Sequence, residues 1–292
     1  MVVIVKGKQE ELTLKKKGKA LGLLWMNLGS VHFKNVPNLY ILYSSKGIME
    51  LAASESKTWE QLGIGFESDA SQAVVLPERL LSISYPLMPR NPRLFWAVAS
   101  WLAVHHQMVN GRLLVKELKA LNIQDSAIAG VLLSVALELN PMASTLAQAV
   151  KHCVPTKDQD VLFDQNRQIP ALAAIVRDES LALFIDWGFW HNQISDKRDA
   201  IRPVSWLIRT CPELRIRSLL GATLDAEIMM HVLVQAQTAT DLMDDLPYTY
   251  AAIHEAATRL SDRGLLSRQS RGRAVVLDVP SGISKWLSKI PA

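Results

Sequence analysis

Three sets of side chains have the types that catalysis or metal binding uses: the neighbours His105 and His106, the pair His152-Cys153, and the adjacent carboxylates Asp244 and Asp245. Each set would have to converge on one point to hold an ion or move a proton. Adjacent histidines on a helix point about 100° apart, so His105 and His106 do not easily face one metal. His152-Cys153 has no matching pair elsewhere, and Cys211 stands far from Cys153 without ligand spacing. Asp244 and Asp245 fall on a short helical pattern, where solvation is the default for carboxylates. A Walker loop, G-x-G-x-x-G, G-x-S-x-G and H-E-x-x-H are all missing. The expectation is a protein that is not an enzyme, with no catalytic residue set, metal or cofactor. The two cysteines read as reduced, buried thiols, which fits a cytoplasmic protein.

The stretch that gives the chain a function lies instead at 223–279. Thr223 is a good N-cap, followed by Asp225 and Glu227 where the helix dipole favours acids. Ile228, Val232 and Leu233 recur at helical spacing. Thr238 opens a second helix with Asp241 three residues on, a weaker capping box, and Pro247 stops it after Leu246. Thr249 caps a third helix with inner face Ile253, Ala257 and Leu260, and Gly264 ends it. Residues 265–270 and 274–279 are strand-like, joined by the Arg271-Gly272-Arg273 turn. The order is helix, helix, turn, helix, hairpin.

This stretch, above all YAAIHEAATRLSDRGLLSR, resembles the winged helix-turn-helix domains of bacterial regulators of the MarR and ArsR broad type. The resemblance covers about a fifth of the chain and implies that the third helix enters the major groove of DNA while the wing touches the backbone. It places Thr249, Tyr250, His254 and Thr258 on the outward face of that helix, and Arg268, Arg271 and Arg273 along the wing. Phosphate contacts suit cations on a projecting loop, and base edges suit polar side chains on a helix.

The front of the chain has a different character. Runs at 2–6, 11–15, 21–27, 31–36 and 40–44 have strand length, with turns at Gly18, Gly29 and Pro37-Asn38. Lys15-Lys16-Lys17 with Lys19 is read as a solvated turn in preference to a phosphate contact. The segment KKKGKALGLLWMNLGSVHFKNVPNLYILYSS resembles the start of the uncharacterised alpha-proteobacterial transmembrane protein family, over about residues 2–67. That resemblance implies further β structure and an envelope role. No secretory signal is expected, because charge follows Met1–Val5 at once. The longest apolar runs, 94–104 and 127–137, are too short to span a bilayer.

Residues 1–72 contain nine Lys and no Arg, whereas 73–292 contain seven Lys and sixteen Arg, so a seam is expected near 70–73. Pro77, Pro86 and Pro89 then argue against any long helix across 73–91. Helices are expected from Arg93 to about Val109, over 111–121 and over 125–139. The last is apolar on nearly all sides and is read as a core or dimer helix. Helical segments follow at 142–153 and 169–177, flanking an acidic loop at 158–164. Phe184, Trp187, Phe189 and Trp190 line either a ligand pocket or, preferentially, an inter-helix packing contact. Arg198, Arg202, Arg209, Arg215 and Arg217 either extend a phosphate-binding surface or pair with that loop.

A length of 292 residues suffices for two or three domains. Net charge is +4, but residues 211–292 balance nine cations with nine acids, so only the wing is locally basic. The fold class expected is mainly α with a small N-terminal β module (1–72), a helical middle domain for dimerisation or ligand sensing (73–222) and a C-terminal winged helix-turn-helix (223–292). The function expected is transcriptional regulation by a cytoplasmic homodimer on double-stranded DNA, under a small-molecule effector. The alternatives are an adaptor whose winged helix docks a protein, and an envelope protein retaining the role of the N-terminal family.

Overall fold

The computed structural model describes residues 58–65, 76–272 and 274–288, all within one compact unit, Ala53–Ala292. The expected β module therefore lies outside the described residues, apart from 58–65. Helices dominate the rest.

The proline-marked stretch forms two short helical pieces and no long helix. Helix α1 (Pro77–Ser84) runs into a 3-10 segment, Tyr85–Arg90. Proline does not prevent this. Pro77 occupies the first turn, where the missing N–H would have had no partner, and Pro86 again falls in a first turn. Leu80, Leu81, Tyr85 and Met88 are buried, and that anchoring holds these short pieces in place.

Helix α2 (Pro92–His105) starts where the Asn91 side chain accepts from the Leu94 amide at 3.1 Å. Asn110 caps α3 (Gly111–Lys119), and Asn122 caps α4 (Ile123–Leu139) by accepting from Asp125 N at 2.9 Å. In α4, Ala127, Ile128, Val131, Leu132 and Val135 are buried, so this helix is the core of its own chain. Helix α5 (Ser144–Ala149), strand β1 (Asp160–Val161), α6 (Asp164–Arg167), α7 (Pro170–Asp178), α8 (Ala182–Ile185) and strand β2 (Phe189–Trp190) complete this half. The two short strands pair in parallel.

The aromatic cluster is packing. Phe184 and Phe189 are buried, and Trp187 lies so close to Gly130 that a Cβ there would sit 2.3 Å from the indole. The Trp187 Nε1–H donates to Ser134 Oγ at 2.9 Å, and Arg177 covers the Trp190 ring at 4.5 Å. Residues 58–65 belong to the same core. Trp59, Leu62 and Ile64 are buried; Trp59 donates to Ser84 Oγ, and Leu62 O accepts from Trp101 Nε1.

Helices α9 (Val204–Thr210) and α10 (Pro212–Leu220) lead to α11 (Leu224–Val234), strand β3 (Gln237–Thr238), α12 (Ala239–Asp245), α13 (Tyr250–Asp262), strands β4 (Ser267–Arg271) and β5 (Ala274–Asp278), and α14 (Ser281–Ser288). Two caps follow the sequence reading. Thr238 and Asp241 form a full capping box, and Thr249 Oγ1 accepts from Ala252 N. Thr223 differs: its hydroxyl donates back to Leu220 O at 3.1 Å and caps nothing. Gly264 and Gly272 have φ of 72° and 64°, which an L side chain adopts only with strain. Strand β3 is a two-residue element that the sequence reading missed. It pairs with β5 and completes a three-stranded antiparallel sheet in the order β3-β5-β4. Ile228, Val232, Leu242, Ile253, Leu260 and Leu277 form a second core between this sheet and its helices.

Candidate nucleic-acid interface

Helix α13 turns Ile253, Ala256, Ala257 and Leu260 inward, which leaves the opposite face to solvent. Thr249, Tyr250 and His254 are exposed, and Thr258 is half-buried. Residues 250, 254 and 258 recur every four positions and so form one strip. Tyr250 stacks on His254 with ring centroids 6.0 Å apart and 27° between planes.

Arg268 joins that strip, not the hairpin tip. From β4 its guanidinium reaches back over α13, with Nη1 donating to Thr258 Oγ1 at 3.2 Å and Nη2 meeting His254 Nε2 at 3.1 Å. Arginine has donors only, so Nε2 must carry the lone pair. Thr258 is already committed, because its hydroxyl donates to His254 O at 2.8 Å. The resemblance implied which residues of this helix face outward. It missed the bracing by Arg268, which depends on the register of β4 against α13.

At the tip, Gly272 turns the chain between β4 and β5 with open space around it. The Arg271 side chain and Arg273 lie outside the described residues. The flank of α13 away from the hairpin holds ion pairs. Arg259 grips Asp225 through Nε at 3.1 Å and Nη2 at 2.5 Å, and also pairs with Glu255 at 3.6 Å. Asp225 had been read as a helix-dipole acid; its position on α11 also ties it to α13.

A buried cluster lies beneath. Arg217 on α10 donates to both carboxylate oxygens of Glu78 on α1, at 2.8 and 3.1 Å, and to Met108 O, and pairs with Glu227 on α11 at 2.9 Å. Asn110 donates its amide to Glu78 and its Nδ2 to Glu227, and its side chain contacts the Tyr248 hydroxyl at 3.3 Å. Burial pushes the Glu227 carboxyl above its usual range, although Arg217 opposes the shift. Neither expected role holds for Arg217, nor for Arg215, which is buried and donates to the carbonyls of Ile208, Arg209 and Leu287. Arg198 pairs locally with Asp196 at 2.5 Å.

The residues considered for chemistry separate. His105 is buried against Trp101, and its Nε2–H donates to Arg202 O at 3.0 Å. Burial raises the thiols of Cys153 and Cys211 to about 12 and about 11, which makes them poor nucleophiles. Among the described residues, no group of three His, Cys, Asp or Glu is placed to hold a metal.

Residues 1–79 match a family described as "Putative transmembrane protein (Alph_Pro_TM)", in agreement with the N-terminal resemblance and extending past it into α1. No curated protein and no solved structure matches the chain. Among the described residues, no helix is long and apolar enough to cross a membrane.

Proposed function

We propose that residues 223–279 form a winged helix-turn-helix and that the protein is a DNA-binding transcriptional regulator, acting in the cytoplasm as a homodimer. One observation carries the reading. The elements run α11, β3, α12, α13, β4, β5 with strand order β3-β5-β4, and the third helix presents a braced polar strip to solvent. Tyr250 and His254 would meet base edges, and Arg271 and Arg273, which flank Gly272 in the sequence, would meet phosphates. A fold alone does not define a function, so the strip bears the weight.

A second reading is favoured by a specific feature. Asp241, Asp244 and Asp245 are exposed on α12, and Glu255 is exposed on α13, where they repel phosphate. These acids suit an adaptor that docks a basic protein. Duplexes selected from a random pool with the purified chain separate the two readings. A regulator shows log affinity falling linearly with log salt, and Arg271→Ala/Arg273→Ala lowers that slope by roughly two. His254→Ala then weakens the selected site by about 1–3 kcal/mol and unrelated duplexes much less. If the pool yields no enriched sequence and no salt-dependent binding, the adaptor reading replaces it.

A further inference from the structure

A cleft of about 1130 Å³ opens between the helical half and the C-terminal elements. It lies on the other flank of α13 from the strip, since Ala252 in its wall is roughly 200° around the helix from Tyr250. Its volume lies just above the roughly 300–1,000 Å³ of clefts that take small organic ligands, which leaves room for one.

One wall is a single face of α3. Arg112, Val115, Lys116 and Lys119 stand at i, i+3, i+4 and i+7, and all four line the cleft. His152 adds a fourth nitrogen group to the lining, and none of the lining residues is a carboxylate. Three like charges within two helical turns repel one another, and that repulsion is relieved when an anion sits among them. The rest of the lining is different. Leu224, Pro247 and the Tyr248 ring offer an apolar surface, with the Arg112 guanidinium 5.0 Å from the ring centroid.

The floor is fixed before any ligand arrives. Asn110 is buried, its Oδ1 accepts from Arg112 N and Leu113 N, and its Nδ2 is held by Glu227. A pre-organised base under a cationic rim costs little ordering on binding.

We propose that this cleft binds a small organic anion, a carboxylate, sulfonate or phosphate carried on a flat apolar body, with the head among Arg112, Lys119 and His152 and the body against Tyr248 and Leu224. The site stands whether or not α13 reads DNA. Apolar neutral ligands lack the head, and inorganic anions lack the body.

The test uses the full chain and the dye 8-anilino-1-naphthalenesulfonate, beside the uncharged N-phenyl-1-naphthylamine. The sulfonate is expected to saturate one site, and the neutral dye to bind at least tenfold more weakly. Arg112→Gln/Lys119→Gln should weaken the sulfonate at least tenfold while leaving the thermal midpoint unchanged, because both side chains are exposed. Leu172→Gln/Ile175→Gln, on the exposed apolar face of α7, should leave it unaffected. Equal binding of the two dyes, or binding that survives the α3 substitutions and is lost with the α7 ones, overturns the proposal. Displacement of the sulfonate by random-sequence duplex DNA, with affinity unchanged by aromatic carboxylates such as naphthoate, would make the cleft a nucleic-acid surface and overturn it as well.

Discussion

His191 shows how one side chain is set by what surrounds it. The ring is buried among Trp96, Phe163 and Phe184, with centroids 5.0–5.4 Å away. Neither ring nitrogen has a partner among the described residues. An imidazolium there would give up its hydration for aromatic edges, so burial lowers the pKa to about 4 from 6.5. A histidine depressed on folding stabilises the native state fully above 6.5, and that contribution is lost as pH falls from 6.5 through 4. At pH 5 the linkage amounts to about 2 kcal/mol. His191→Phe fills similar space without a proton site. Urea unfolding at pH 7.5 and pH 5 should show the variant losing about 2 kcal/mol less than the parent over that interval. His105 is also lowered by burial and remains in both proteins, so the difference isolates His191. Equal acid losses would mean that water reaches the ring. His254 is the contrasting case: exposed to solvent and braced by the Arg268 guanidinium.

Elements were legible where the signal is local. The boundaries of α12 and α13 follow from Thr238 with Asp241, Thr249 and Gly264, each of which meets a backbone need within a few residues. The all-round apolar run of α4 likewise implied burial before its neighbours were known. Features that depend on distant chain were not legible. Strand β3 exists because β5 is beside it, and α1 forms across a proline-marked stretch because Leu80, Leu81 and Tyr85 have a core to enter. Arg217 was one of five arginines with nothing local to set it apart, and only the fold brings Glu78 and Glu227 to it from 139 residues away and from the next helix. Its removal tests how α1, α10 and α11 are held together. Arg217→Met leaves two carboxylates buried without their cation, a loss of about 3–5 kcal/mol when one partner of a buried pair is deleted. Adding Glu78→Gln and Glu227→Gln should recover much of it, since no buried charge then lacks a partner. A single variant within about 1 kcal/mol of the parent in urea unfolding would show that water or rearrangement satisfies the acids.

At the scale of the whole molecule, the question is where the folding unit begins. The change from lysine to arginine usage suggested a seam near residue 72, and the family match ends at 79. The packing draws the line earlier, because the compact unit starts at Ala53 and residues 58–65 cross its core. Trp59 meets Trp101 edge-on at 5.8 Å, the Cys211 thiol donates to Gln61 O, and Ile64 bridges to Ile201. Gly63 passes so close that a Cβ would stand 2.9 Å from that of Arg202. This short segment therefore binds α1, α2 and α9 to one another. Full burial of a large apolar side chain contributes about 1.5–3 kcal/mol, so Trp59, Leu62 and Ile64 together approach the whole net stability of an ordinary domain. Two fragments should behave differently as a result. Residues 53–292 should melt in one cooperative transition, whereas 74–292 should lose that transition or show a midpoint lower by well over 10 °C, given the few degrees that each kcal/mol moves a domain of this size. Differential scanning calorimetry of both decides it. Matching midpoints would place residues 58–65 outside the cooperative core and return the boundary to the compositional seam. A 74–292 fragment that is soluble but melts without cooperativity would mean that residues 58–65, which lie within the family match, supply the last piece of the helical core, so the two parts of the chain cannot be exchanged as independent modules.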